Sequence, residues 1–400
     1  MPLFLTKRDG NCILLLVEQE ETELYNNVKN ISKGGSFMRK TYIDNIRWIT
    51  VVLVVLYHVI YMFNGVQTAG VLGPFTDVQY QDVYQYMVYP WFMLLLFVVS
   101  GMSARYCLEN HTHKEFLKSR TVKLLVPSTL GLFVFWWILG YYNMAFSGAI
   151  TQMGQIPKPI LFLIMAVSGT GALWYIQLLW VFSLVLVLIR MLEKDRFYNV
   201  CKKTNVPILI LLTALIWGAA QILNTPIVVV YRFGIYGVGF LIGYFCLSHD
   251  EVMERVGRFW MPLSIAGVVA GIAFVAVYWG SPYAEHSVLD TPLCNVFAWL
   301  ATLGVLAFMK KWGNFSNSFS KWMAARSWGL YLFHYLALAM CAYYLSEFAP
   351  GLPAVLMYLF VGIAAFGGAF LLYAIIRRIP FLRWCVCGIS KKEKKAKQKI

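Results

Sequence analysis

Charge is what this sequence has least of. Asp, Glu, Lys and Arg make up 13% of its 400 residues, against roughly 25% in an average soluble domain. A water-soluble fold of this size needs a polar skin, so the shortage argues against an ordinary soluble enzyme. Metal and disulfide frameworks are missing as well. The eight cysteines, at 12, 107, 201, 246, 294, 341, 385 and 387, form no CxxC pair and no His/Cys cluster with zinc spacing. His111 and His113 stand as an H-x-H pair without further ligands, and no metal site is expected. No internal repeat is visible at the level of motif.

What is present is apolar. Hydrophobic residues make up 60% and aromatics 16%, and the mean hydropathy is +0.63. This is the composition of a multi-pass membrane protein, in which Trp and Tyr settle at the interface with water. The net charge of +15 would suggest nucleic acid in a soluble protein. Here the basic residues must first be placed relative to the membrane.

A bilayer core of about 30 Å needs roughly 20 apolar residues per helix. Ten segments qualify: about 47–63, 87–106, 124–146, 171–190, 206–223, 227–247, 260–279, 292–309, 328–345 and 353–376. The apolar stretch 159–168 is too short to span and reads as interfacial or re-entrant. With the N-terminus inside, 32 of the 34 Lys and Arg residues fall in inside segments. One, Lys158, falls in an outer loop, and Arg232 lies within the sixth span, close enough to the outer face to snorkel outward. Losing or gaining one span would invert the later loops and destroy this asymmetry. The expected fold is therefore an all-α, polytopic transmembrane bundle of about ten helices with both termini cytoplasmic. No nucleic acid partner is expected; the bilayer itself is the partner.

Three regions follow. Residues 1–37 have only a short apolar run, Ile13–Val17, and then Glu18, Glu20, Glu21 and Glu23; Met38 reads as the natural start and what precedes it as an extension. Residues 38–384 form the membrane domain. Residues 385–400 form a basic cytoplasmic tail suited to anionic lipid. Cys385 and Cys387 flank the last apolar run and read either as free thiols or as acylation sites.

The first span carries the polar stripe of interest. His58 interrupts an otherwise apolar run, and Arg47 lies eleven residues before it. Eleven residues overshoot three helical turns by only about 20°, so the two share a face about 16 Å apart along the axis. Asp44 lies one turn below Arg47. An imidazole at membrane depth needs a hydrogen-bond partner. One reading is a reactive base in the bilayer with charged groups at the cytoplasmic end. The other is packing for His58 and interfacial anchoring for Asp44 and Arg47.

Further motifs favour the first reading. Ser100-Gly101 closes the second span, and Arg120-x-x-Lys123-x-x-x-Pro127 follows it. Trp174-Tyr175 opens the fourth span, and Ser327-Trp328-Gly329-Leu330-Tyr331-Leu332-Phe333-His334 opens the ninth. In this order, with Arg47-x10-His58, the sequence resembles the membrane-bound acyltransferase 3 family from about Met38 to the tenth span. The resemblance implies transfer of an acyl group, usually acetyl, from cytoplasmic acyl-CoA to a hydroxyl of a carbohydrate or other cell-envelope acceptor. Acyl-CoA is then a donor substrate, and no permanently bound cofactor is expected. The family's essential base matches His58, and its cationic donor-binding residues match Arg47, Arg120 and Lys123. Lys at 123 departs from the commoner Arg and lacks the bidentate fork. Asp44 and His334 are supporting candidates; His334 reads equally as a substrate ligand or a structural histidine. The matching location is the plasma membrane of a bacterial cell. The main rival is a ten-helix secondary transporter that uses His58, His334 and Arg232 as intramembrane sites; a scaffold whose polar residues only fix packing is the other.

Overall fold

Each long apolar run becomes a helix, because a helix satisfies its own backbone where no water is available. The computed structural model describes residues 40–66, 71–149, 154, 156–225 and 228–389, and these contain helices and no strand. Eight helical stretches are long and apolar enough to cross a membrane. They are α1 (Thr41–Tyr61), α2 (Val83–Leu108, extended to Tyr80 by one tight turn), α3 (His113–Phe146), α5 (Trp174–Glu193), α10 (Trp260–Tyr278), α11 (Pro292–Trp312), α12 (Ser318–Phe348) and α13 (Ala354–Ile376). Three shorter apolar helices join them: α4 (Lys158–Ser168), α7 (Val206–Ala220) and α8 (Phe233–Leu247). The remaining helices α6 (Arg196–Cys201), α9 (Asp250–Arg258) and α14 (Pro380–Cys385) are too short or too polar to span. The proposed extension 1–37 and the end of the basic tail lie outside the described residues.

Several boundaries differ from the sequence reading for identifiable reasons. The fifth and sixth segments, read as 206–223 and 227–247, become α7 and α8, each too short to count among the long spans. The chain leaves α7 early because Leu223 turns into the left-handed region at φ 56°, and the side-chain amide of Asn224 donates to the Ala220 carbonyl at 2.7 Å. The ninth helix starts ten residues before the apolar run. Asn317 and Ser320 cap one another there, and the added turns carry Lys321 and Arg326, which no apolar count includes. His334 therefore lies in the middle of α12 rather than near its start. α4 packs along α3, where Asn143 donates to the Ser168 carbonyl at 2.8 Å, and its Ile160, Leu163 and Val167 face outward.

Segments that the charge count assigns to one side do meet at one end of the bundle. Lys40 pairs with Asp250, Asn45 donates to the carbonyls of Gly313 and Phe315, and Arg105 pairs with Asp195 at 2.6 Å. At the opposite end Gln79 bonds the Phe63 carbonyl, Tyr86 donates to the Ser281 carbonyl, and Arg232 pairs with Asp290 at 3.0 Å.

α2 is the central helix and is buried over most of its surface. Helices in lipid gain little from hydrophobic burial against one another, so close backbone approach through small residues matters more. α2 crosses α8 in this way. A Cβ on Gly101 would lie 1.9 Å from the Phe240 carbonyl oxygen, and one on Gly243 would lie 2.0 Å from that of Val98. Both contacts are with backbone, which cannot rotate aside. Gly101→Ala is therefore expected to cost about 1–3 kcal/mol, the usual range for overpacking, and to lower the thermal midpoint of the detergent-purified protein. Gly367→Ala meets nothing within 4 Å and serves as control; equal midpoints for the two variants would refute this account of the crossing.

Candidate active site

The stripe predicted on the first span is present, because α1 runs unbroken from Thr41 to Tyr61. At its lower end Arg47 donates to Asp44 Oδ1 at 3.1 Å and to the hydroxyl of Ser103 on α2. Ser103 in turn donates to the Val99 carbonyl at 2.7 Å. Asp44 thus partners the basic group above it and stands far from the imidazole.

At the upper end, two imidazoles meet. His334 of α12 is fully buried. Its Nδ1 lies 2.8 Å from the Tyr331 carbonyl and 3.1 Å from that of Leu330. Carbonyls only accept, so this nitrogen carries the proton and His334 Nε2 presents a lone pair. That Nε2 lies 3.2 Å from His58 Nδ1, which also lies 2.8 Å from the Val54 carbonyl. Both partners of His58 Nδ1 are acceptors, so it too carries its proton. The lone pair of neutral His58 is left on Nε2, without a protein partner among the described residues. Tyr335 and Tyr57 pack on the His58 ring, with centroids 4.9 and 5.1 Å away. A neutral imidazole held in one tautomer, with a bare Nε2, has the equipment of a general base.

Between the two ends the interior is lined with hydroxyls. Ser100 Oγ and Tyr175 Oη are 2.8 Å apart, and Tyr175 is within electrostatic reach of Arg47 and Arg120. Tyr331 of α12 bonds the Ala172 carbonyl. Ser103 and Tyr175 were not among the site residues drawn from the sequence. The available signal was the pair Ser100 and Ser103, three residues apart on an otherwise apolar helix.

Arg120 ends the first helical stretch of α3, and a π-turn, Thr121–Leu125, follows at once. Wider turns of this kind are frequent at functional sites. The Arg120 guanidinium rests over the Phe116 ring at 5.0 Å and lies within electrostatic reach of Arg47. It has no acidic or hydrogen-bonding partner among the described residues. Lys123 sits on the π-turn and is exposed. The structure thus brings Arg47 and Arg120 together, joins His334 to His58, and leaves Lys123 on the neighbouring turn.

Arg232 does not snorkel. It is buried and donates to Asp290 Oδ1 and to the Leu289 carbonyl, while Asp290 Oδ2 meets His286 at 3.1 Å. The short α7–α8 pair sets it down inside the protein, where a carboxylate is within reach. His286, four residues before Asp290, contributes its imidazole to this cluster. Cys385 and Cys387 are both free and buried.

The described residues thus form an apolar helical bundle that joins two histidines at one end of the α1 stripe and sets Arg47 within reach of Arg120 at the other. The family model for the acyltransferase domain matches residues 40–374, and the chain belongs to the acyltransferase 3 family. It is therefore an acyltransferase. No curated protein and no solved structure matches the chain. The tautomer assignment has a direct check. NMR of ring-nitrogen-labelled histidine is expected to give His58 and His334 as neutral Nδ1–H forms, with the His58 signal lost in His58→Ala; an Nε2–H form at His58 would overturn it.

Proposed function

We propose that the protein moves an acyl group, usually acetyl, from acyl-CoA at the cytoplasmic end of the bundle to a hydroxyl of a carbohydrate or cell-envelope acceptor, with His58 as general base. The observation that carries this reading is the His58–His334 contact, which leaves a bare Nε2 on the same helical face as Arg47. The matching location is the plasma membrane of a bacterial cell.

In this reading His58 Nε2 takes the acceptor's hydroxyl proton as its oxygen attacks the thioester carbonyl. The C–O bond forms and the C–S bond breaks. The departing CoA thiolate takes the proton from His58 Nε2, which restores the neutral base and completes the ester. While His58 carries the second proton, its Nδ1–H donates to His334 Nε2 and to the Val54 carbonyl, and both bonds are charge-assisted. His334 is thus an orienting group, comparable in role to the third member of a catalytic triad. General-base help of this kind is typically worth about 10²–10⁴ in rate.

The anionic nucleotide end of CoA matches Arg47, Arg120 and Lys123. Arg120 supports this most strongly, because it is a cation without an acidic neighbour. Its planar fork suits phosphate. Asp44 holds Arg47 in place. The extended pantetheine arm would then pass Ser103, Ser100 and Tyr175 toward His58, a path of about 16 Å by helical rise.

His58→Ala is expected to lower acyl transfer by at least about 10² while membrane insertion and CoA binding persist. Arg120→Ala is expected to raise the apparent KM for acyl-CoA with kcat less affected. Labelled acetyl-CoA, the purified protein and a panel of hydroxyl acceptors provide the assay. Wild-type rates in His58→Ala would remove the general-base role, and an unchanged KM in Arg120→Ala would remove the donor-site role.

A further inference from the structure

Pro127 lies four residues after Lys123 and has no N–H, so it cannot return the bond that an unbroken helix would give the Lys123 carbonyl. α3 is irregular on both sides of it. The π-turn Thr121–Leu125 leads into the short turn Val126–Ser128, Thr129 leaves helical geometry at φ −127° and ψ −76°, and a second π-turn covers Leu132–Trp136. α5 supports the segment on both sides: Gln177 donates to the Ser128 backbone carbonyl at 2.8 Å, and Trp180 donates to the side-chain hydroxyl of Thr121 at 3.1 Å. The turn bearing Lys123 is therefore held by its neighbours as well as by its own π-type bonds, of which Val126 N–H to the Thr121 carbonyl is the last.

The segment after α14 lies across this break. Gly388 adopts φ +67°, and a Cβ there would come within 2.8 Å of Lys123 Cα and of the Val122 carbonyl oxygen, and within 2.9 Å of that of Lys123. Beyond the break, a Cβ on Gly131 would lie 2.8 Å from the Cys385 carbonyl oxygen. Cys385, Val386 and Cys387 are buried. Trp328 of α12, six residues before His334, donates to the Cys387 carbonyl at 3.0 Å. A segment of four residues thus meets α3 after its break through Cys385 and before it through Gly388, and is tied to α12 through Cys387.

We propose that residues 385–388 splint the donor-binding turn, and that Gly388 is a positioning residue for Lys123. The proposal rests on the reading of Arg47, Arg120 and Lys123 as the acyl-CoA phosphate site. Gly388 is required twice over: its left-handed conformation favours glycine, and any Cβ would meet backbone atoms of residues 122 and 123. Displacing the segment moves the Lys123 backbone, and with it the ammonium group, without touching His58.

The test is equilibrium binding of CoA to the full-length protein in detergent, for wild type, Gly388→Ala, Lys123→Ala and the double variant, with thermal midpoints recorded alongside. Gly388→Ala is expected to weaken CoA binding about tenfold, the order of one lost charge-assisted hydrogen bond. In the Lys123→Ala background it is expected to add nothing, the sign of a shared interaction. A general loss of packing would instead weaken both backgrounds equally. Trp328→Phe keeps an aromatic side chain while removing the indole N–H that donates to Cys387; it is expected to show the same coupling to Lys123, and it decides the matter if Gly388→Ala does not fold. CoA affinity unchanged in Gly388→Ala or Trp328→Phe, or lowered equally in both backgrounds, overturns the splint while leaving the donor site standing. Failure of wild type itself to bind CoA overturns the donor reading, and the splint with it.

Discussion

A hydrocarbon interior offers no hydrogen-bond partner, and every polar group in this protein is placed under that constraint. An unsatisfied polar group costs several kcal/mol in such a medium, so each must find a partner in the protein or face an internal space that holds water or ligand. Many find a partner: Ser183 has the Leu179 carbonyl, Thr302 has the Ala298 carbonyl, and Trp299 has the Leu209 carbonyl. The His58–His334 contact follows from the same rule. His334 turns its N–H to its own helix, which leaves its lone pair for His58, and this leaves His58 with a second nitrogen that nothing among the described residues occupies.

The same constraint shapes α3. A break in a spanning helix is tolerated where the freed groups are buried in protein. Here Gln177 and Trp180 cover one side and the segment after α14 covers the other. The break lies next to the exposed cationic turn that begins at Arg120, so the irregularity is concentrated where a regular helix would fix the cations on one stripe. It also links the end of the chain to residues in its first third, which explains why Cys385 and Cys387 are buried although they adjoin a strongly basic tail.

Much of this was legible in the sequence, and the reasons are physical. Long apolar runs located the spans, because the bilayer thickness sets a length that few soluble segments reach. The sorting of Lys and Arg gave the alternation of the helices, and the ends that pair in the structure are those the charges grouped together. The Arg47–His58 stripe was readable because helical period is a local property. What was not readable is non-local. His334 meets His58 across 276 residues, and no periodicity on α1 or α12 indicates which faces meet. The early exit from α7 at Leu223 depends on a single left-handed residue in an apolar run, and the added turns of α12 are polar, so a hydropathy window overlooks both. The role of Gly388 depends on a contact with residues 122 and 123 that only the folded chain makes.

The contrast between Arg120 and the arginines that hold helix ends is the strongest physical reason to look for a ligand where the donor is proposed. Arg105 is met by Glu109, Asp195 and Tyr244 and rests 3.6 Å from the Tyr198 ring. Arg190 has Tyr244, and Arg255 has the carbonyls of Lys202 and Thr204. These cations are fully engaged in holding loops and helix ends. Arg120 differs: it lies beside another cation, Arg47, and no carboxylate among the described residues answers it. Like charges placed side by side in a partly desolvated setting oppose folding. Asp44 answers Arg47, so Arg120 is the guanidinium most simply balanced by an anion from outside the protein. Because Arg47 is on the helix that carries His58, an anion bound there lies at the foot of the stripe that leads to the base.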